Sequence, residues 1–205
     1  MRIGWRAALV VLVLALALQH PAYAGGHGAT CTKTGGPGDD ILRGTNGPDV
    51  LCGKGGHDVL IGRGGRDILR GGSGPDVLRP GSGPDRIVGG PGGDTLSYAD
   101  GVLPVAVDLA TGLATGQGHD VILGVENVVG TFSADTLLGD AEDNLFCGYR
   151  ADDTIRGRGG DDKLVGEGDD DGLFGGPGDD TLNGGPGTDR CRQGSGAGRR
   201  WNCER

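Results

Sequence analysis

The chain has 205 residues, 47 of them glycine, with aromatic residues at 4% and a formal net charge of −9. Glycine at this density without a three-residue period excludes collagen, and the shortage of large apolar residues argues against a conventional globular core. The acidic excess argues against nucleic acid as a partner and leaves a solvated chain or one that recruits cations.

Residues 1–24 read as a secretory signal peptide. Met1 to Arg6 is a basic start, Ala7 to Leu18 is an unbroken apolar run, and Ala22-Tyr23-Ala24 is a small-x-small cleavage site. The run is too short to favour a membrane span, and no later segment is apolar enough to be a transmembrane segment of the mature chain. Removing Arg2 and Arg6 would take the net charge from −9 to −11. Secretion to the extracellular side is therefore expected. Residues 25–34 read as an N-terminal cap.

A nine-residue period starts at Gly35. Residues 35–97 divide into GGPGDDILR, GTNGPDVLC, GKGGHDVLI, GRGGRDILR, GGSGPDVLR, PGSGPDRIV and GGPGGDTLS. Residues 98–129 break the register and read as an irregular spacer. Val105, Val107 and Leu109 alternate there with Ala106 and Asp108 as in a half-buried strand. Thr115 to Leu123 is a degenerate repeat with Asp120 at position six and Ile122 at position eight. A second array, residues 130–192, runs GTFSADTLL, GDAEDNLFC, GYRADDTIR, GRGGDDKLV, GEGDDDGLF, GGPGDDTLN and GGPGTDRCR. Residues 193–205 read as a C-terminal cap, because a solenoid needs closed, polar ends.

The fixed positions have a physical reading. Glycines at positions one, two and four let the first six residues curl tightly and turn carbonyl oxygens inward. The carboxylate at position six adds a charged oxygen. A hard cation that takes six to eight oxygens, Ca²⁺, suits such a loop better than Mg²⁺ or a transition metal. Positions seven to nine read as a short strand whose middle side chain points inward. Leu42, Leu51, Leu60, Leu69, Leu78, Ile87 and Leu96 form that row in the first array, and Leu137, Phe146, Ile155, Leu164, Leu173 and Leu182 in the second. One repeat cannot bury its single Leu, so repeats must stack. If loops alternate sides, repeats n and n+2 lie one above the other, and seven repeats offer at most five such vertical pairs per array.

The motif GGxGxDxUx, which recurs as Gly175-Gly176-Pro177-Gly178-Asp179-Asp180-Thr181-Leu182-Asn183, resembles the RTX, or hemolysin-type, calcium-binding repeat. The resemblance implies an all-β fold, a parallel β-roll or β-helix solenoid. Its cofactor would be Ca²⁺, held by the position-six aspartates. These are Asp40, Asp49, Asp58, Asp67, Asp76, Asp85 and Asp94 in the first array, and Asp135, Asp153, Asp162, Asp171, Asp180 and Asp189 in the second. Asn144 stands where the pattern has Asp, and Ser133, Glu142, Ala151 and Asp169 replace the position-four Gly. On those departures, metal binding is least expected over 130–156 and in the spacer.

The five cysteines, Cys31, Cys52, Cys147, Cys191 and Cys203, all follow the leader, where disulfides persist. Cys191 is expected to pair with Cys203 and Cys31 with Cys52, leaving Cys147. Relatives of this kind often carry a catalytic domain ahead of the repeats, but only about ten residues separate the leader from Gly35. Neither an HExxH zinc site nor a GxSxG elbow occurs. The reading is a non-catalytic, secreted module that folds on binding calcium ions, structural, adhesive or calcium-responsive, with a possible cell-surface or polysaccharide partner. The alternative is a carbohydrate-active or hydrolytic solenoid enzyme with a groove on one face.

Overall fold

Every nine residues the chain makes one short strand and crosses to the opposite sheet. The computed structural model describes residues 29–204, so the leader assigned to 1–24 and the first four residues of the cap assigned to 25–34 lie outside them. Residues 31–204 belong to one compact unit, without a helix among the described residues. Outside the stretch from 106 to 123, strands fall alternately into an eleven-stranded and a nine-stranded sheet. Val50–Gly55 pairs in parallel with Ile68–Ser73, and Val59–Gly64 with Val77–Ser82, each in a register of eighteen residues. Two repeats therefore make one turn of a parallel β-solenoid. This is the all-β roll that the resemblance implies, with the two-repeat turn expected from the period.

The core is a ladder of single side chains. Leu51, Leu69, Ile87, Leu137, Ile155 and Leu173 point in from one sheet, and Leu60, Leu78, Leu96, Phe146, Leu164 and Leu182 from the other. All twelve are fully buried. Leu42, expected in the same row, is only partly buried because Ile41–Arg43 is the edge strand of its sheet. One buried aliphatic side chain per repeat is a small hydrophobic gain against the entropy of ordering nine residues. Something besides the core has to stabilise the arrays.

Both sheets run on through the spacer. In the nine-stranded sheet, Asn127–Val129 lies between Thr95–Ser97 and Leu145–Tyr149, parallel to both. In the other, Leu113–Thr115 runs antiparallel between Ala106–Asp108 and His119–Leu123. These are the only antiparallel pairs among the described residues. Val105 and Val107 are buried, as their alternation required, and so are Asp120 and Ile122 of the degenerate repeat.

The ends are tied by disulfides, Cys31–Cys52 and Cys191–Cys203, in the pairing expected, and Cys147 is a free thiol. Cys191 also takes the inward position that leucine holds elsewhere. No helix of the described residues is long and apolar enough to cross a membrane.

Candidate calcium sites between stacked loops

Each loop spans positions one to six, and from the third repeat of each array its Asp carboxylate meets the backbone of the turn below. The backbone N–H of one position-six residue donates to Oδ1 of the Asp eighteen residues on. In the first array the steps are Asp40 to Asp58, Asp49 to Asp67, Asp58 to Asp76, Asp67 to Asp85 and Asp76 to Asp94, all at 2.8 Å. In the second they are Asp135 to Asp153, Asn144 to Asp162, Asp153 to Asp171, Asp162 to Asp180 and Asp171 to Asp189, at 2.7–3.1 Å. Each array thus contains five stacked steps.

The other carboxylate oxygen divides the aspartates into two classes. Oδ2 of Asp58, Asp67, Asp76, Asp85, Asp94, Asp153, Asp162, Asp171, Asp180 and Asp189 is buried with no hydrogen-bond partner. These ten residues are the upper members of the ten steps. In the first two loops of each array the corresponding oxygen is closed off internally. The N–H of Gly36 donates to Asp40, that of Thr45 to Asp49 and that of Thr131 to Asp135, each at 2.6 Å. The N–H of Asp140 donates likewise to Oδ1 of Asn144 at 3.1 Å.

Backbone conformation explains the division. From the third repeat of each array onward, position two has positive φ: 88° at Lys54, 81° at Arg63, 86° at Tyr149, 81° at Arg158 and 80° at Glu167. The N–H there turns away from the carboxylate. That of Arg158 donates to the Gly175 carbonyl and that of Glu167 to the Gly184 carbonyl, both at 2.9 Å. Large side chains rarely adopt this region, so a recurring set of them is imposed by stacking. Ala151 and Asp169 adopt the left-handed position-four conformation despite lacking glycine's freedom, at 71° and 76°. The open loop geometry therefore begins at residue 148, inside the stretch whose missing glycines had made it doubtful. Ser133 and Glu142 belong to the self-closed loops.

An unpaired buried carboxylate oxygen is costly, and ten in register are not an accident of packing. Their charge state shows the strain. Burial, reinforced by the stacked neighbour's charge, pushes Asp85 and Asp153 up to about 8. The same causes take Asp162 and Asp171 to about 7 and Asp67 and Asp94 to about 6, and raise Asp76. In Asp180, burial acts with the charges of Asp161 and Asp179. Asp49 shows the contrast. Burial would raise it, but hydrogen bonds from the Thr45 N–H and hydroxyl hold it below the usual carboxylate range.

Backbone oxygens complete the surroundings. A Cβ on Gly53 would strike Oδ2 of Asp58 and the Gly71 carbonyl oxygen, and one on Gly72 (φ 121°) would strike the Lys54 carbonyl. At such a step the upper Asp thus presents a partnerless carboxylate oxygen close to backbone carbonyl oxygen. No group of three His, Cys, Asp or Glu side chains suited to a metal forms among the described residues. The oxygens present at the steps, carboxylate and backbone carbonyl, are the kind that suit Ca²⁺. In doubled carboxylates such as Asp39-Asp40 and Asp179-Asp180 only the second faces inward. The first belongs to an exposed ladder in which the N–H of His57 donates to Asp39 and that of Ala197 to Asp179.

The sequence did not single out Thr45 and Thr131, whose position-two hydroxyls donate to Asp49 and Asp135 in two of the four self-closed loops. It also passed over Glu126, whose Oε2 accepts the Asp94 N–H at 2.8 Å in place of an aspartate. A family model described as the RTX calcium-binding nonapeptide repeat matches residues 34–69, 44–78, 70–101, 123–155, 148–173, 156–191 and 169–198. No curated protein matches the chain significantly.

Proposed function

This chain belongs to the RTX calcium-binding nonapeptide repeat family, and on that premise we propose that its ten stacked steps are ten calcium sites whose filling folds the arrays. Calcium binding by the repeats is the family's property. The assignment to particular aspartates rests on one observation, the ten buried Oδ2 atoms without a partner. At each step the upper Asp would supply Oδ2, joined by neighbouring backbone carbonyl oxygens and, where its own Oδ2 is free, by the carboxylate of the lower Asp. At the step below Asp162 the lower residue would bring no carboxylate, because Asn144 stands there with its Oδ1 accepting the Asp140 N–H. A bound divalent cation supplies positive charge between carboxylates that otherwise repel.

The chain's own residues do the rest. The N–H to Oδ1 ladder fixes the spacing of successive carboxylates, and the inward Leu, Ile and Phe side chains set the register. Without neutralisation, buried like charges and a glycine-rich chain favour disorder, so binding free energy becomes folding free energy. Affinities on the order of 10⁻⁴–10⁻³ M would suffice outside the cell. Export by the leader at 1–24 fits both the disulfides and this affinity range.

We read the folded roll as non-catalytic, a structural or adhesive element. The surface that favours adhesion is a groove of about 620 Å³ lined in part by Phe132, Tyr149, Arg150, Glu167 and Asn183. Phe132 and Tyr149 stack there at 5.3 Å between centroids. An exposed Phe132 stacked on a half-buried Tyr149, beside polar side chains, suits a polysaccharide or cell-surface glycan. Ion counting on the native chain and on Asp180→Asn tests the calcium assignment, and loss of one ion in the variant is expected. An unchanged count would remove Asp180 from the site.

A further inference from the structure

We propose that the spacer is a calcium-independent segment of the roll, in which Tyr98, Asn144 and Arg158 satisfy oxygens that would otherwise call for cations. This rests on the calcium reading of the arrays and concerns where that reading stops.

The column Asp49, Asp67, Asp85 continues into the spacer without a change of geometry. The Asp85 N–H donates to Oδ1 of Asp120 at 2.9 Å, as at every array step. The difference lies at Oδ2. In the upper Asp of each array step this atom has no partner, whereas in Asp120 it accepts the Tyr98 hydroxyl at 2.6 Å. Both residues are buried, at 2% and 3% exposure. A hydroxyl proton has taken the oxygen that a cation would need, and the phenol fills the space beside it.

The other column is closed by different chemistry. The Asp94 N–H donates to Glu126, but the next step up is Asn144, whose Nδ2 donates to the Glu126 carbonyl at 3.0 Å. An amide N–H points where the arrays present oxygen, and Oδ1 of Asn144 is already engaged by the Asp140 N–H. Beyond the antiparallel strands, the Val105 N–H donates to Oδ1 of Asp135 at 2.8 Å, and Val105 brings no carboxylate. Asp108 is neutralised by both terminal nitrogens of Arg158 at 2.8 and 2.9 Å, and Arg158 also donates to the Gly139 carbonyl. None of the buried partnerless carboxylate oxygens lies between residues 95 and 152.

Apolar burial rises where the charge is cancelled. Tyr98, Val105, Val107, Ala114, Val121, Ile122, Val125 and Val128 are all buried within this short span, against one inward side chain per array repeat. The spacer therefore has its own source of stability when calcium is absent. It gives both arrays an ordered end on which to stack as calcium arrives, so neither needs to nucleate alone.

Two measurements on the full chain test this. In hydrogen exchange with chelator present, amides within 98–129 stay protected while array amides exchange freely. Tyr98→Phe, which removes only the hydroxyl, lowers that protection tenfold or more. In ion counting with saturating calcium, Asp120→Asn binds as many ions as the native chain, whereas Asp85→Asn binds one fewer. Spacer amides that exchange in chelator as fast as array amides overturn the proposal, and so does loss of an ion in Asp120→Asn. An unchanged count in Asp85→Asn would instead contradict the array sites, leaving the exchange data to decide the spacer.

Discussion

The backbone N–H of Asp162 donates to Oδ1 of Asp180 at 3.1 Å, while Oδ2 of Asp180 is buried without a partner. One carboxylate thus does two jobs, holding the register with one oxygen and presenting the other to the gap between loops. Asp162 has the same relation to Asn144 below it at 2.9 Å, so it faces two steps while Asp180 is the upper member of one.

That sharing predicts non-additive losses. Asp180→Ala should remove one bound ion and Asp162→Ala two. The double variant should also remove two, because the step between them is lost only once. Calorimetry with ion counting checks this, and a loss of three in the double variant contradicts a shared site.

Stability without calcium should depend on pH in a direction set by the raised aspartates. In the metal-free fold Asp85 and Asp153 sit at about 8, Asp162 and Asp171 at about 7, and Asp67 and Asp94 at about 6, against 3.8 ordinarily. A group raised on folding stabilises the fold fully below its unfolded value, and that contribution is lost as pH rises through its folded value. In chelator, β-structure by circular dichroism should be greater at pH 5 than at pH 8. Protons and calcium compete for the same oxygens, so half-saturating calcium should rise as pH falls from 8 to 6. A pH-independent titration contradicts both statements.

Cys147 reports on folding from outside the sites. Burial, with the Glu167 carboxylate beside it, pushes its thiol up to about 12. Thiolate is the reactive form, so alkylation at pH 8 should be slow in saturating calcium and at least tenfold faster in chelator. Equal rates in the two conditions would mean that this strand keeps its structure without calcium.

Two further substitutions address the frame. Ala151 holds φ 71° where most repeats have glycine, so Ala151→Gly should stabilise the calcium-loaded roll by about 0.5–1 kcal/mol. Replacing Cys191 and Cys203 by Ser should cost about 3 kcal/mol by the loop-entropy model, and should expose the end of the core that Cys191 fills. Thermal melts in saturating calcium measure both.

The roll was legible in the sequence because its repeating unit is local. One Leu and one Asp every nine residues fix both the strand's inward face and the loop's carboxylate, and Cys31–Cys52 and Cys191–Cys203 follow from closing the two ends. What escaped depends on partners distant in sequence. Tyr98 and Asp120 are 22 residues apart and meet only because an antiparallel excursion brings the chain back into the stack. The self-closed first loops were invisible for a related reason. Asp40 and Asp58 sit in almost the same motif, and only their places in the stack distinguish them. Ala151 and Asp169 stand where the pattern has glycine, yet stacking holds both at positive φ, which the sequence alone does not show.

The central claim is that the partnerless oxygens are calcium ligands and that filling them folds the arrays. A calcium titration of the full chain, followed by circular dichroism and ion counting on the same samples, tests it most directly. β-Structure should rise cooperatively to a plateau at about ten ions, one for each buried Oδ2 without a partner. A spectrum unchanged by chelation, or a plateau reached with only one or two ions, would contradict it.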